Sequence, residues 1–317
     1  MMLDEKKLRV VDANILYLIG ALLFWTVGAY AQEKNLMWGL IITQYVIILM
    51  PPIIYIKVKK LSIRESLKLN KISFKHCIIV ALITILTYPI AVFGNALLMT
   101  IMSLMGNLNI PALPTATNSG EYMILMLVIS LSAGICEEVF FRGFVLSGYE
   151  RLGKKKAVVI SAILFGIFHF NLYNLAGPIV LGLIFGYLVI ETNSIYAGMI
   201  GHIVNNGFAV TLGFLVNLAT ELLPDIETAG EAATEISTTV AMASTTILFG
   251  IISAITLFII FKLIKVIKRD MSVLDSKTHY HNDEVEVKKV EFLPLIIPVC
   301  LFIFIAVLQL KEIISLG

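Results

Sequence analysis

The chain has 317 residues, of which 58% are hydrophobic and only 15% are charged, and its mean hydropathy is +0.92. A soluble domain carries about 25% charged residues, so the composition excludes an ordinary soluble protein. The net charge of +2 comes without a basic stripe or a glycine-rich phosphate loop, and we therefore expect no nucleic-acid partner. The expected fold is all-α, a polytopic transmembrane helical bundle of about eight to nine spans.

Nine apolar stretches are long enough to be considered as crossings of about 30 Å of hydrocarbon. They cover residues 13–31, 38–56, 76–105, 122–147, 156–172, 176–192, 195–218, 240–266 and 292–314. The fifth and sixth are short, and we expect these two to be tilted or partial spans.

The loops between these stretches alternate in charge. Lys and Arg concentrate in 57–75, 148–156 and 262–291, whereas 106–121 and 219–239 contain neither. The last of these loops carries five acidic residues: Glu221, Asp225, Glu227, Glu231 and Glu235. The positive-inside rule then places the N-terminus in the cytoplasm. The compact loops and a composition rich in Lys and Ile favour an integral protein of a bacterial plasma membrane.

Two adjacent carboxylates interrupt the fourth stretch. Placing one carboxylate in hydrocarbon costs at least about 2.5–3.5 kcal/mol, so Glu137 and Glu138 indicate a functional site. Glu138 precedes Arg142 by four residues, the favoured orientation for an ion pair on one helix face. Glu137 then points about 100° away and is the candidate general base. The alternative is a structural charge network that holds helices together.

Two further polar pairs follow in apolar stretches. Phe165 and His169 are four residues apart, as are His202 and Asn206. A lone histidine in an apolar helix is often a structural core residue, and the second pair is also compatible with a helix–helix hydrogen bond of about 0.6 kcal/mol. Taken with Glu137, however, these residues form a set suited to hydrolysis: a base and a histidine to activate water, and a histidine and an amide to stabilise an oxyanion.

Metal chemistry is a second possibility for the same residues. Glu137, His169 and His202 are residue types that bind zinc in hydrolytic sites with an open position. The sequence contains no H-E-x-x-H motif, so we expect no cofactor and keep zinc as the alternative.

The sequence also predicts that the candidate site residues lie at different depths in the membrane. His169 lies about 15 residues from the basic loop, about 20 Å along a helix, whereas we expect Glu137 and His202 nearer the basic end.

The three polar motifs resemble those of a known family. Glu137-Glu138-x-x-x-Arg142, Phe165-x-x-x-His169 and His202-x-x-x-Asn206 are similar, in order and separation, to the motifs of the CAAX protease and bacteriocin-processing (CPBP) family. That family includes the CAAX prenyl endopeptidases. The resemblance covers about residues 122–218 and divides the chain into N-terminal helices (1–121), a catalytic helical core (122–218) and an acidic loop with C-terminal helices (219–317).

The resemblance implies an intramembrane endopeptidase with a water-filled catalytic cavity. By motif position, Glu137 is the catalytic carboxylate, His169 helps to activate water, and His202 and Asn206 form the oxyanion site. Glu138, Arg142 and Phe165 support them. The family is often described as metalloproteases, but a metal-independent glutamate mechanism fits an asparagine and a paired second glutamate better.

The expected partners are membrane lipid and a membrane-associated peptide or protein, either prenylated (CAAX-type) or similar to a bacteriocin or pheromone. Two other functions remain open. Intramembrane Glu, His and Arg also occur in proton-coupled transporters, although the sequence shows no half-repeats. An inactive immunity or binding protein is the other alternative.

Overall fold

The computed structural model describes residues 7–111, 114–222, 237–275 and 287–316, and within these ranges the chain is helical with no strand. Most of the acidic loop lies outside the described residues. We number the long helices in chain order. They are α1 (Val10–Lys34), α2 (Leu36–Val58), α3 (Phe74–Ser103), α4 (Ser119–Leu152), α5 (Lys154–Ile167), α6 (Ala176–Thr192), α7 (Ile195–Leu222), α8 (Thr238–Asp275) and α9 (Ile296–Ser315).

Eight of these helices are long and apolar enough to cross a membrane, counted among the described residues, which confirms the polytopic helical bundle. The exception is α5, which has 14 residues and rises only about 21 Å. The fifth stretch, expected over 156–172 as a tilted or partial span, is thus too short to cross, as expected, whereas the sixth reaches span length over Leu172–Thr192, so its expected shortness is wrong. The helix ends at Ile167, and a turn and a 3₁₀ segment (Leu172–Asn174) lead into α6.

Side-chain caps and wide turns shape the helices locally. Ser73 accepts a hydrogen bond from the amide of His76 at the start of α3, and Asn118 does the same for Glu121 at the start of α4. Helices α1, α2 and α4 contain π-helical turns, two of which flank the carboxylates in α4 (Met126–Ser132 and Val139–Val145). Such turns are rare and are frequent at functional sites, because they rotate the side chains that follow.

The basic loops meet at one end of the bundle, which we call the basic end. Lys68 contacts Glu150 at 2.8 Å, and the amide of Asn70 donates to the carbonyl of Asn193 at 2.8 Å. Lys75 at the start of α3 pairs with Asp270 near the end of α8. The basic loops therefore lie together at one end of the bundle, as the charge pattern predicts.

Helix α4 lies at the centre of the bundle. In an apolar 18-residue window of α4, 61% of the window is buried inside the protein. The corresponding windows of α8 and α9 are 17% and 11% buried. Its aromatic residues Phe140, Phe141 and Phe144 are fully buried among α1, α2 and α5. The helix that carries the ionisable residues is thus the one most shielded from lipid.

Candidate active site

The two carboxylates of α4 have different environments. The side chain of Glu138 is fully buried, whereas that of Glu137 is 17% exposed. Glu138 Oε1 accepts a hydrogen bond from Arg142 Nη1 at 2.8 Å, which confirms the predicted ion pair. Glu137 faces other partners, as its position on the helix predicts.

Arg142 is buried against two aromatic rings. Its guanidinium carbon lies 4.3 Å from the centre of the Phe165 ring and 5.6 Å from that of Phe185. A cation over an aromatic face is attracted by the ring quadrupole, more strongly when both are desolvated. The rings and Glu138 replace only part of the water that this charge loses, since Nε and Nη2 of Arg142 have no hydrogen-bond partner among the described residues.

His202 in α7 lies between the two carboxylates. Its Nδ1 is 2.9 Å from Glu138 Oε1, and since an ionised carboxylate can only accept, Nδ1 carries the proton and donates it. Its Nε2 lies 3.8 Å from Glu137 Oε2, too long for a direct hydrogen bond. The ring also stacks on Phe185, with 5.7 Å between centres. Glu138 thus fixes the orientation of His202, and Nε2 faces Glu137.

A glycine in α7 makes this approach possible. A Cβ atom at Gly198 would lie 2.3 Å from Glu138 Oε2, far inside van der Waals contact. Only glycine at this position lets the backbone of α7 pack against the buried carboxylate.

His169 follows the C-terminus of α5 and caps it. The amide of His169 bonds to the carbonyl of Gly166, so the carbonyl of Phe165 lacks its usual helical partner. Nδ1 of His169 lies 2.8 Å from that oxygen and donates to it, because a carbonyl oxygen can only accept. In the neutral ring, the lone pair is then on Nε2.

The predicted mismatch in depth between His169 and Glu137 is wrong. Helices α4 and α5 leave the same turn at Gly153, whose φ of 96° is a left-handed conformation that favours glycine. Glu137 precedes Leu152 by 15 residues and His169 follows Lys154 by 15, so both lie at the same distance from the basic end. The electrostatic interaction of His169 with Glu137 and His202 agrees with this placement.

The ring of Phe165 connects the histidines to the ion pair. Its centre is 5.0 Å from that of His169 and 5.8 Å from that of His202, with both pairs edge to face, and Arg142 lies over its face. The structure therefore brings Glu137, Glu138, Arg142, His169 and His202 together around one aromatic side chain.

Asn206 lies one turn beyond His202 and makes other contacts. Its Nδ2 donates to the carbonyl of Ile129 in a π-helical turn of α4 at 2.9 Å, and its Oδ1 accepts from Asn205. An amide group has two donor hydrogens, and the bond to Ile129 uses one of them. Asn206 therefore links α7 to α4, and its role at an oxyanion stays a prediction.

No group of three His, Cys, Asp or Glu side chains within the described ranges is arranged to hold a metal ion. Glu137, His169 and His202 lie near one another without forming a ligand cluster in this conformation. The dependence on a cofactor is therefore a question for experiment.

Sequence reasoning missed two residues of this site. Gln44 in α2 donates from Nε2 to Glu137 Oε1 at 2.7 Å, across 93 residues of chain. Its polar side chain within an apolar stretch is a signal that could have identified it. Phe185, which packs on His202 and Arg142, lies in a uniformly apolar stretch and gives no such signal.

Comparisons with known proteins agree with the three motifs. Residues 119–208 match the sequence model of the family described as type II CAAX prenyl endopeptidase Rce1-like. A 90-residue stretch is 32% identical to the Bacillus subtilis (strain 168) protein named "Putative membrane peptidase YdiL". That match covers 28% of this chain and 37% of the relative, so the chain spans a little over a third of the length of the curated relative. No solved structure matches.

These matches confirm the resemblance to the CPBP family over the segment that holds the site. Glu137, Phe165, His169, His202 and Asn206 all lie within residues 119–208. With the eight span-length helices, they make this chain an integral membrane protein with a segment related to membrane peptidases.

Proposed function

We propose that this protein is an intramembrane endopeptidase in which Glu137 activates the water that attacks a peptide bond. The observation that carries the proposal is that two adjacent carboxylates have different environments. Glu138 is fully buried and neutralised by Arg142, whereas Glu137 is partly exposed and faces His202 without a cationic side chain bonded to it. One carboxylate is thereby structural, and the other keeps its charge and its access.

Water activation needs a base and a second group that orients the water. Glu137 Oε2 is the proposed base. His169 presents the Nε2 lone pair because Phe165 holds the proton on Nδ1, and this nitrogen is suited to accept a hydrogen bond from the same water. After attack, the proton held by the carboxylate is transferred to the leaving amine.

His202 and Asn206 are proposed to stabilise the oxyanion of the tetrahedral intermediate. For this role, the ring of His202 would have both nitrogens protonated. Its Nε2–H would then be available as a donor, since Nδ1–H is already bound to Glu138. The second amide hydrogen of Asn206 is the other proposed donor.

The mechanism proposed here is independent of metal. Glu138 is paired with Arg142, and the Nδ1 atom of each histidine is bonded to an acceptor, so Nε2 of each ring is left for water in this mechanism or for a metal in the alternative. In the zinc alternative, Glu137, His169 and His202 would be the ligands.

The proposed substrate is a membrane-associated peptide or protein. The family description and the motifs support a prenylated, CAAX-type substrate, and a peptide similar to a bacteriocin or pheromone is the alternative within the same activity. We propose a bacterial plasma membrane as the location, with the N-terminus in the cytoplasm.

The test is cleavage by purified, detergent-solubilised protein of matched prenylated and unprenylated peptides. Wild type is compared with Glu137→Gln, which keeps the shape of the side chain and removes the base. We expect wild type to cleave and the variant to lose at least about 10²-fold in kcat, the lower range for a general base. A chelator arm tests zinc: loss of activity on chelation, restored by zinc, would replace the metal-free mechanism.

Full activity of Glu137→Gln would show that this carboxylate is not the base. If neither protein cleaves any peptide, transport and ligand-binding assays would test the carrier and immunity-protein alternatives.

A further inference from the structure

Gln44 makes a contact with the site from outside the segment that matches known peptidases. It lies in a π-helical turn of α2 (Ile42–Leu49), about 75 residues before the matched region begins. The residue is 8% exposed, and its Nε2 is 2.7 Å from Glu137 Oε1. A short hydrogen bond from a buried amide to a carboxylate is a charge-assisted interaction, about twice as strong as a neutral one.

Because of this contact, the two carboxylate oxygens of Glu137 have different partners. Oε1 is occupied by Gln44, and Oε2 faces His202 Nε2. An amide is neutral, so it fixes the carboxylate without cancelling its charge. Arg142, in contrast, neutralises Glu138.

We propose that Gln44 is the positioning residue for Glu137: it holds the rotamer of this carboxylate and keeps Oε2 directed to the reacting water. This inference rests on the proposed function and adds α2 to the machinery of the site. A misplaced base loses rate, since proton transfer needs the donor and acceptor in register. Substrate binding does not involve this contact, so KM should not change.

The chain offers a matched control one residue further on. Tyr45 Oη accepts a hydrogen bond from Ser132 Oγ at 2.8 Å, which links the same two helices without touching Glu137. If Gln44 only joins α2 to α4, then Gln44→Met and Tyr45→Phe should behave alike.

The first experiment measures kcat and KM for wild type, Gln44→Met and Tyr45→Phe. Methionine keeps the length of the side chain and removes the donor. We expect kcat of Gln44→Met to fall about 10- to 100-fold, the loss of one hydrogen bond to a charged group, with KM within twofold of wild type. Tyr45→Phe should retain its kcat. An unchanged kcat in Gln44→Met, or equal losses in both variants, overturns the inference.

The second experiment does not depend on activity. Carbodiimides modify carboxyl groups that they can reach, and the modified residue is identified by peptide mass. Gln44 occupies Oε1 of Glu137, so removing this side-chain amide leaves that oxygen open to the reagent. We therefore expect several-fold faster labelling of Glu137 in Gln44→Met than in wild type or Tyr45→Phe, and equal rates would contradict the proposal.

These two readouts separate the two proposals. If wild type cleaves no peptide, the proposed function fails while the labelling rates still decide the role of Gln44. If wild type cleaves and Gln44→Met is as active, only the positioning role fails. Should Gln44→Met not fold, Gln44→Leu removes the donor with another apolar side chain and is expected to lose kcat to the same extent.

Discussion

Adjacent residues of one helix can have opposite tasks when their surroundings differ. Glu138 is enclosed by Arg142, His202 and the backbone of α7 at Gly198, and its side chain has no exposed surface. Glu137 is held by a neutral amide and keeps part of its surface exposed. The buried ion pair therefore has a structural task, and its removal should affect folding before chemistry.

Glu138→Ala should be strongly destabilising, because it leaves Arg142 buried without its counter-charge. The expected loss is about 3–5 kcal/mol of unfolding free energy, the usual cost of removing one partner of a buried pair. The double variant Glu138→Ala/Arg142→Met should recover part of this loss, since neither charge then remains. Thermal unfolding in detergent measures both.

Glu137→Gln is the control for that series and should unfold near the wild-type temperature. Equal stability of Glu138→Ala and wild type would show that the pair contributes nothing to the fold.

At the scale of elements, α5 is unusual because, among the long helices of the described chain, it alone is too short to span a membrane. Phe170, three residues after its last helical residue, has a left-handed conformation with φ of 47°, where glycine is the common residue. Its ring packs on Phe24, Trp25 and Phe168, with centres 5.8–6.3 Å apart. Aromatic packing therefore holds a backbone conformation that is unfavourable for phenylalanine, directly beside His169.

This balance predicts that glycine is more stable than alanine at Phe170, the reverse of the usual order in a helix. Phe170→Ala loses the ring and keeps the strain, whereas Phe170→Gly loses the ring and relieves it. Both should be less stable than wild type, and the glycine variant should exceed the alanine variant by about 1 kcal/mol in thermal unfolding. At Ile163, inside α5, the order should be the usual one, with alanine about 1 kcal/mol better than glycine. The same order at both positions would refute the strain at Phe170.

At the scale of the whole molecule, the two ends of the described chain lie at opposite ends of the bundle. Arg151 Nε donates to the carbonyl of Leu8 at the basic end, whereas Asn107 bonds to the carbonyl of Leu316 at the other. The chain must therefore cross between the two ends of the bundle an odd number of times. Helices α5 and α6 do not change this, because α5 leaves the basic end at Lys154 and α6 returns to it at Thr192. The loops before and after this pair therefore stay on the sides that the charge pattern predicts, although α5 is short.

The proposed orientation can be tested with cysteines at the two ends. Native Cys77, Cys136 and Cys300 are replaced by alanine, and either Lys155→Cys at the basic end or Thr117→Cys at the other is introduced. Both positions are exposed. A membrane-impermeant maleimide applied to intact cells should label Thr117→Cys only, and lysed cells should give labelling of both. Labelling of Lys155→Cys in intact cells would reverse the orientation.

The sequence was informative where interactions are local. The spacing of Glu138 and Arg142 predicts their ion pair, and apolar length predicts eight of the nine spans, because both depend on neighbours along one helix. The contacts of Glu137 with Gln44 and of His202 with Glu138 join residues 93 and 64 positions apart, and no local pattern encodes them. His169 and Glu137 lie at similar depth because α4 and α5 share the turn at Gly153, which the spacing of the motifs does not show. The roles of the site residues in catalysis remain predictions.

The loop between α5 and α6 has a consequence for any attempt to isolate the site. Irregular backbone persists in hydrocarbon only where protein groups replace water. Here two amide side chains do so: Gln309 accepts from the amide of Leu172, and Asn95 accepts from that of Gly177. Both belong to helices outside residues 119–208. A fragment limited to the recognisable segment would leave these amides without their partners, so we expect the unit that folds to be larger than the unit that sequence comparison detects.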